Sequence, residues 1–339
     1  GYTETLREVW KEVPGSADYV MYWWAHAASL VRAGQVRRFG FITTNSITQS
    51  FNRKVVESLL SDEKGSLAYA IPDHPWVDAE SGADVRIAMT VGRAGVMDGV
   101  LHSVIAEIPG QDGEMDVVLE GSVGLIHADL SAGTKAHAAS PLRSNLGLAF
   151  TGMYPLGQGF VVMPDDVASA TGGKPAELSA LKPFFIAKDL TQNPRHAKVI
   201  DFYPRSEESA RKEFPHLYQW VLSRVKPQRD HDKRPARRAK WWVFAEPVPA
   251  LRAALLGLKR QIFVPRTAKY FTFQFRGADC IPDTSVVAIA TEDAWILGTL
   301  SSRAHLLWAY GRGGRLGIGN DPRYQHQSTF NPFPFPACS

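Results

Sequence analysis

The sequence predicts an α/β fold in its first 95 residues, followed by an α+β region. Two observations lead to this prediction. Apolar residues at helical spacing alternate with short apolar runs in residues 1 to 95, which is typical of alternating helices and strands. Further on, β-like runs between glycine-rich turns precede separate helices and strands. We therefore expect two domains, residues 1–95 and residues 96–339.

The second of two predicted N-terminal helices ends just before a short strand. Its aromatic side chains, including Tyr19, Trp23 and His26, recur at helical spacing, and we take this stripe as its apolar face. Gly34 stands where a C-terminal cap is expected. Asp18 or Ser16 is expected to cap the start of the helix.

A polar cluster follows the strand predicted at residues 37 to 43. Asn45, Ser46 and Gln49 come directly after its apolar run. Loops at strand ends bind ligands in α/β enzymes, so these side chains could contact a cofactor or a nucleic-acid base. Serine and asparagine are also common helix caps, and a helix is predicted over residues 51 to 61. Both interpretations stay open, and the structural role is favoured.

Two further strands, residues 66 to 71 and 85 to 91, are predicted to form an antiparallel pair. Two or three strands cannot bury both faces of a sheet, so these strands are expected to belong to the edge of a larger one. The chain also starts at Gly1 within an apparent helix, and we expect it to be a piece of a longer protein.

The remaining elements are less regular. Residues 96 to 200 predict an irregular β region. Beyond it, helices are predicted at residues 206–225, 247–258 and 292–310, and strands at residues 261–264, 270–275 and 285–290.

The composition excludes several classes of protein. No apolar run approaches the roughly 18 residues that a spanning helix needs, and no signal-peptide pattern is present. Cys280 and Cys338 are too few for a disulfide framework or a cysteine zinc site. The sequence also shows neither metal-ligand spacing nor a serine-nucleophile pattern. We expect a cytoplasmic protein that binds no membrane.

Positive charge is concentrated in residues 205 to 276, which hold 17 Lys/Arg against 6 Asp/Glu, or +11, while the remainder carries −7. The densest run ends in the pair Trp241-Trp242, of which at least one is expected to pack into the core. A polyanion is the expected partner, because each neutralised phosphate releases counterions. The alternative is a solvated loop. The cations expected to contact DNA phosphates here are Arg229, Arg234, Arg237, Arg238 and Lys240.

Two segments offer side chains suited to base edges. One surrounds Arg195, and the other is the glycine-rich stretch from Arg312 to Tyr324. Glycines in that stretch permit close approach to DNA, although an ordinary solvated turn has the same composition. The candidates are Arg195, Arg315, Asn320, Asp321 and Arg323.

Several segments resemble the MmeI-type restriction-modification enzymes, single chains that join a nuclease, a gamma-class N6-adenine methyltransferase and a DNA-recognition domain. The similarity spans nearly the whole chain in the family's order. The segments that carry it include Arg37 to Arg53, Ile71 to Trp76, Val85 to Gly92, Phe184 to Leu190 and Phe330 to Pro336.

The resemblance implies the C-terminal half of a Rossmann-like methyltransferase sheet followed by an α+β target recognition domain. Two family features are missing, namely the Asn/Asp-Pro-Pro-Tyr/Phe catalytic loop and the glycine loop that holds S-adenosylmethionine. Asn331-Pro332-Phe333-Pro334 does not replace the first, because its prolines are not adjacent and it is expected to pack as an extended tail. The resemblance thus implies S-adenosylmethionine as cofactor of the parent enzyme, and the upstream half of the methyltransferase domain as partner.

Trp76 is the candidate for a catalytic role. Enzymes that modify a base extrude it from the duplex and hold it between flat side chains. In similar enzymes an aromatic residue from this loop forms one wall of that pocket. The alternative is a tryptophan that covers the sheet edge.

Three functions follow for the chain. The favoured one is sequence-specific recognition of duplex DNA, without methyl transfer by the chain itself. The second is a complete or degenerate S-adenosylmethionine-dependent methyltransferase, for which binding of that cofactor would be the evidence. The third is a general nucleic-acid-binding module, for which preference for structured RNA would be the evidence.

Overall fold

The computed structural model describes residues 1–61, 64–76, 85–109, 115–132, 139–313, 315–316 and 321–336. The chain divides into two compact units, Gly1–Ala138 and Ala139–Ser339. The division does not coincide with the predicted boundary at residue 95, because the two strands that follow this residue join the sheet of the first unit. Among the described residues, no helix has the length and apolar character needed to cross a membrane.

The first unit combines helices with one mixed sheet. It contains α1 (Tyr2–Val9), α2 (Val20–Arg32), α3 (Ser50–Leu60), β1 (Arg38–Thr44), β2 (Gly65–Trp76), β3 (Val85–Ala94), β4 (Gly99–Pro109) and β5 (Met115–Gly124). The described strands lie in the order β1-β3-β2-β4-β5. Both β1 and β2 run antiparallel to β3, which confirms the predicted antiparallel pair, whereas β4 is parallel to β2.

The face of α2 that packs inwards differs in part from the predicted one. Tyr22 of the predicted stripe is buried, but Tyr19 and Trp23 are exposed, whereas Trp24 is fully buried. The Trp24 ring packs edge-on against Phe39 at 4.9 Å, and its Nε1–H donates to Thr90 Oγ1 at 3.2 Å. Since α2 is apolar on both sides, its spacing permits two inward faces, and only the contact with the sheet selects one.

Asp18 fastens the turn after β1 and does not cap α2. Its carboxylate accepts hydrogen bonds from Ser46 Oγ and from Asn52 Nδ2, the latter at 2.8 Å. Its own backbone N–H donates to Asn52 Oδ1 at 2.9 Å. Helix α2 begins without a side-chain cap, and Gly34 adopts the positive φ of 71° expected just after a helix end.

The second unit holds short helices and three small sheets. Its helices are α4 (Val167–Thr171), α5 (Ala187–Thr191), α6 (Glu207–Glu213), α7 (Pro215–Arg224), α8 (Lys226–Arg229), α9 (Pro235–Ala239), α10 (Pro249–Ala254), α11 (Ala294–Leu300) and α12 (Arg303–Arg312). Its strands are β6 (Ala149–Thr151), β7 (Val161–Val162), β8 (Leu181–Phe185), β9 (Lys198–Ile200), β10 (Arg260–Pro265), β11 (Gln274–Gly277), β12 (Ile281–Pro282), β13 (Val286–Ile289), β14 (Arg315–Leu316) and β15 (Asp321–Pro322). The described sheets have the orders β11-β10-β13-β6, β12-β8-β9-β7 and β14-β15.

The helix predicted over residues 206 to 225 is two helices, because proline interrupts it. Pro215 has no N–H to continue α6 and instead starts α7. The buried carboxylate of Glu177 caps this new start, accepting the backbone N–H of His216 at 2.9 Å and of Leu217 at 2.8 Å. The helix predicted over residues 292 to 310 is likewise divided into α11 and α12.

The C-terminal segment packs as the predicted extended tail. Phe330 and Phe333 are buried beside the fully buried His305, whose ring meets Phe333 edge-on at 4.4 Å. His305 Nε2 is hydrogen-bonded to Tyr324 Oη at 2.9 Å. Burial lowers the pKa of His305 to about 4. This aromatic cluster is one of two cores in the second unit, and the other surrounds Phe160, α7 and Trp241.

Candidate nucleic-acid interface

Arg229 anchors the basic run from inside the second unit. Its side chain is 1% exposed, its Nε–H donates to the carbonyl of Leu156 at 3.0 Å, and its Nη2 donates to those of Pro155 at 2.7 Å and Val243 at 3.1 Å. Burial lowers the pKa of Arg229. Arg229 is therefore not part of the exposed basic surface, because its guanidinium is buried against backbone carbonyls.

The other predicted phosphate-binding residues lie on or beside α9. Arg234, Arg238 and Lys240 are exposed, whereas Arg237 is partly covered. The Arg237 guanidinium lies 3.4 Å from Glu246 Oε1 and 3.7 Å from Asp232 Oδ2. The run is thus built from two short helices, α8 and α9, which corrects the expectation of a mobile loop, and it presents its cations from a defined surface.

The tryptophan pair after α9 has a structural role. Trp241 is buried and packs edge-on against Tyr218 at 5.6 Å. The neighbouring Trp242 is half-buried, and its Nε1–H donates to the carbonyl of Arg205 at 3.1 Å. The expectation that at least one tryptophan packs into the core is confirmed.

Beside α9 lies a cavity of about 550 Å³. Its lining includes Tyr203, Arg205, Arg237, Lys240 and Trp242, together with apolar side chains. No aspartate or glutamate is among the described residues that line it. The cavity was not predicted, since its walls come from residues 203–206 and from residues between 229 and 247, and only the fold brings these segments together.

Arg195 is held rigidly by a buried carboxylate. Asp189 is 2% exposed in its side chain, and the Arg195 guanidinium approaches it with Nε at 2.9 Å and Nη2 at 2.7 Å. Burial alone would raise the pKa of Asp189, but hydrogen bonds from Arg195 and Ile186 hold this pKa below its ordinary value. Arg195 also borders a cleft of about 400 Å³, so this fixed and partly exposed arginine is suited to a directional contact.

The glycine-rich C-terminal candidates lie around the strand pair of β14 and β15. Asp321 and Arg323 are partly exposed. The backbone of Arg323 forms an isolated antiparallel β-bridge with Thr267, the residue after Arg266. The pKa of Arg266 is lowered by burial and by the charge of Arg323. The backbone of Arg315 belongs to β14, but its side chain lies outside the described residues, as does all of Asn320.

Trp76 ends β2 in the first unit, where it pairs with Val85 and is 47% exposed. Nearby, Asp73 Oδ1 accepts hydrogen bonds from Asn45 Nδ2 at 3.0 Å and from Arg86 Nε at 2.7 Å. Asp73 therefore fixes the backbone before Trp76, while the indole remains accessible for stacking.

The polar cluster at the end of β1 makes hydrogen bonds within the first unit. The side chains of Asn45 and Ser46, the candidates there, are engaged with Asp73 and Asp18. Gln49 precedes α3 without a side-chain capping bond. Asn45 and Ser46 thus support the turn, which is a structural role, but α3 does not receive the side-chain cap that the favoured interpretation expected.

An exposed basic helix on an α+β unit is typical of a DNA-contacting domain. The family model described as "MmeI, target recognition domain" matches residues 136–337, which is more than half of the chain. The chain belongs to this family.

The chain is also similar to a solved structure of the type IIL restriction-modification enzyme MmeI in complex with DNA, with a TM-score of 0.77 and 18% sequence identity. The match covers 99% of this chain and 44% of that one, so this chain spans less than half the length of the structure that it resembles. At this identity the likeness shows the fold.

Two other comparisons add nothing to the argument. A structure of the type IIG restriction endonuclease BpuSI has a TM-score of 0.30 at 11% identity, over 87% of this chain and 39% of that one, which is too low to support any inference. No curated protein matches the chain.

Proposed function

We propose that the chain recognises specific sequences of duplex DNA as part of a restriction-modification enzyme that methylates the N6 atom of adenine. The observation that carries the proposal is the exposed basic surface of α9, within the residues that match the target recognition domain. Buried Arg229 holds this surface in place. Phosphate contacts of this kind supply most of the sequence-independent affinity for DNA.

The first unit is proposed to be the C-terminal part of a Rossmann-like methyltransferase domain. Strand β1 lies at the edge of the described sheet with Ile42 exposed, and Tyr19 and Trp23 are exposed on α2. Apolar surface of this kind is typical of an interface. An upstream half of the domain would cover it and would hold S-adenosylmethionine, which donates the methyl group in such enzymes.

Base contacts are proposed for the second unit. The candidates are Arg195, Arg315, Asn320, Asp321 and Arg323. Arginine suits guanine, asparagine suits adenine, and aspartate accepts from the cytosine amino group. Trp76 is proposed to stack on the extruded adenine in the parent enzyme.

The test is the salt dependence of duplex binding by the chain. A variant with Arg234→Gln, Arg237→Gln and Arg238→Gln should bind all sequences more weakly and lower the salt slope by up to about three. The matched control replaces three exposed cations elsewhere in the second unit, namely Arg211, Lys212 and Arg303, with glutamine.

Two outcomes of this test would change the assignment. If the two triple variants show the same salt dependence of duplex binding, α9 does not contact the DNA. Stronger binding of structured RNA than of duplex DNA would favour a general nucleic-acid module. Isothermal titration with S-adenosylmethionine completes the set, since measurable binding to the chain would favour a complete methyltransferase.

A further inference from the structure

The cavity beside α9 carries an excess of positive charge. Four of its lining residues are cations, namely Arg205, Arg229, Arg237 and Lys240. Carboxylates outside the cavity neutralise two of them, because Arg205 pairs with Glu213 at 2.8 Å and Arg237 pairs with Glu246 and Asp232. The other two, Arg229 and Lys240, form no ion pair within the described part of the chain. The cavity therefore favours an anion.

Arg229 strengthens this argument because its charge is buried. Its three hydrogen bonds all go to neutral carbonyl groups, and its Nη1 is buried with no hydrogen-bond partner among the described residues. A buried cation without a close ion pair is costly. The Asp232 carboxylate attracts Arg229 without pairing with it, and a negative ligand in the adjoining cavity would reduce the remaining cost.

The size and the remaining walls of the cavity indicate more than a simple anion. A volume of about 550 Å³ lies in the range of small-molecule sites and is much larger than a phosphate group needs. Besides its cations, the cavity is lined by Tyr203, Trp242, Phe244 and Pro247. Aromatic and apolar walls favour a flat ring, so the ligand should combine a ring with a negative group.

We propose that this cavity binds a single nucleotide, with its phosphate near Lys240 and Arg237 and its base against Trp242. The nucleotide is either a free mononucleotide or one unpaired nucleotide of a DNA strand, since both present the same chemistry. The site shares Arg237 with the duplex contacts proposed for α9, and titration with a mononucleotide tests it without duplex DNA.

The test compares two exposed lysines of the same basic run. Lys240 lines the cavity, whereas Lys233 is absent from its described lining. Isothermal titration of the chain with deoxyadenosine monophosphate should show that Lys240→Met weakens binding about tenfold or more, while Lys233→Met leaves it unchanged. Deoxyadenosine and inorganic phosphate, each lacking half of the ligand, should bind at least about tenfold more weakly than the nucleotide.

A second arm identifies the source of the nucleotide. A duplex with one unpaired adenine is compared with the fully paired duplex, for the unmodified chain and both lysine variants. A preference for the unpaired site that Lys240→Met abolishes and Lys233→Met retains would assign the site to DNA. Nucleotide binding that depends on Lys240 without such a preference would assign it to a free nucleotide. The proposal is overturned if Lys240→Met changes neither measurement more than Lys233→Met does.

Discussion

The two units differ in what they leave exposed. The first unit exposes large apolar side chains, including Tyr19, Trp23 and Ile42, next to a sheet whose edge strand is β1. The second unit exposes fewer such side chains among its described residues, Leu256, Tyr270 and Leu307 included, while it buries two aromatic clusters and exposes the cations of α9. Apolar exposure indicates a surface made for protein, whereas exposed charge indicates a surface made for a polyanion. This difference agrees with the protein partner proposed for the first unit and the nucleic-acid ligand proposed for the second.

The second unit also contains buried charged side chains that are stabilised by hydrogen bonds. Buried Asp189, Glu177 and Arg229 each make several hydrogen bonds there, and each fixes a loop or a helix start. Buried polar groups that are well bonded favour one arrangement of the chain, because any other arrangement leaves them unsatisfied. The second unit should therefore be sensitive to substitution at these positions and tolerant at the exposed cations.

The strongest test of this contrast is Arg229→Met, which keeps an unbranched but shorter side chain and removes all three hydrogen bonds to backbone carbonyls. We expect the free energy of unfolding of the second unit to fall by about 4 kcal/mol, since each orphaned carbonyl costs about 1–3 kcal/mol. Arg238→Met, at an exposed position of the same run, should change it by about 0.5 kcal/mol or less. Urea denaturation measures the free energy of unfolding of both variants. Equal values would show that Arg229 stabilises the second unit no more than the exposed Arg238 does.

Two buried histidines of the second unit predict how its stability depends on pH. Burial lowers the pKa values of His305 and His326 from 6.5 to about 4, so only the unfolded chain binds their protons between these values. Stability should therefore fall as the pH drops from about 7 to about 4 and should level off below that. His305 alone accounts for up to about 3 kcal/mol.

Denaturant midpoints of the unmodified chain and of His305→Gln, measured across this range, test the pH prediction. The variant should lose a large part of the pH dependence. His231→Gln, at an exposed position, serves as the control. If both variants keep the full dependence, the source lies in other groups.

Base preference should depend on the second unit alone. Replacing Arg323 or Asp321 with alanine in the full-length enzyme should relax one base position each, with a loss of about 2 kcal/mol of discrimination. Arg195→Lys keeps the charge but loses the planar guanidinium, and it should act in the same way if Arg195 contacts a base. Sequencing of methylated sites reveals the preference. A uniform loss of activity at an unchanged sequence would mean that these residues support the fold or the phosphates.

The smallest expected effect belongs to the first unit. Trp76→Ala in the full-length enzyme should slow methylation about tenfold while leaving the affinity for DNA nearly unchanged, because stacking acts after the base leaves the duplex. Trp76→Phe retains an aromatic face and should recover most of the rate. Fluorescence of 2-aminopurine at the target position reports extrusion, and normal fluorescence with normal turnover in Trp76→Ala would assign the residue to the sheet edge.

Local patterns were sufficient to predict much of the fold. Apolar runs and alternation located β1, β2 and β3, and the pairing of β2 with β3 followed from them. The inward face of α2 could not be predicted, because both sides of this helix are apolar. Burial of Arg229 was also beyond sequence reasoning, since the carbonyls that it contacts include Leu156, far away in the chain. The division into two compact units lies beyond residue 95 for a similar reason, as β4 joins β2 through a non-local parallel pairing.

Asn145 joins the two ends of the second unit. Its Nδ2 donates to the carbonyls of Phe330 at 3.3 Å, Asn331 at 3.1 Å and Phe333 at 2.8 Å, and the backbone N–H of Leu142 donates to Asn331 at 2.9 Å. Residues near the start of this 201-residue stretch, by the division at Ala139, therefore lie beside residues 330 to 333. Close ends of this kind favour insertion of the unit as a domain into a loop of another protein, because the loop residues that flank the insertion stay close together.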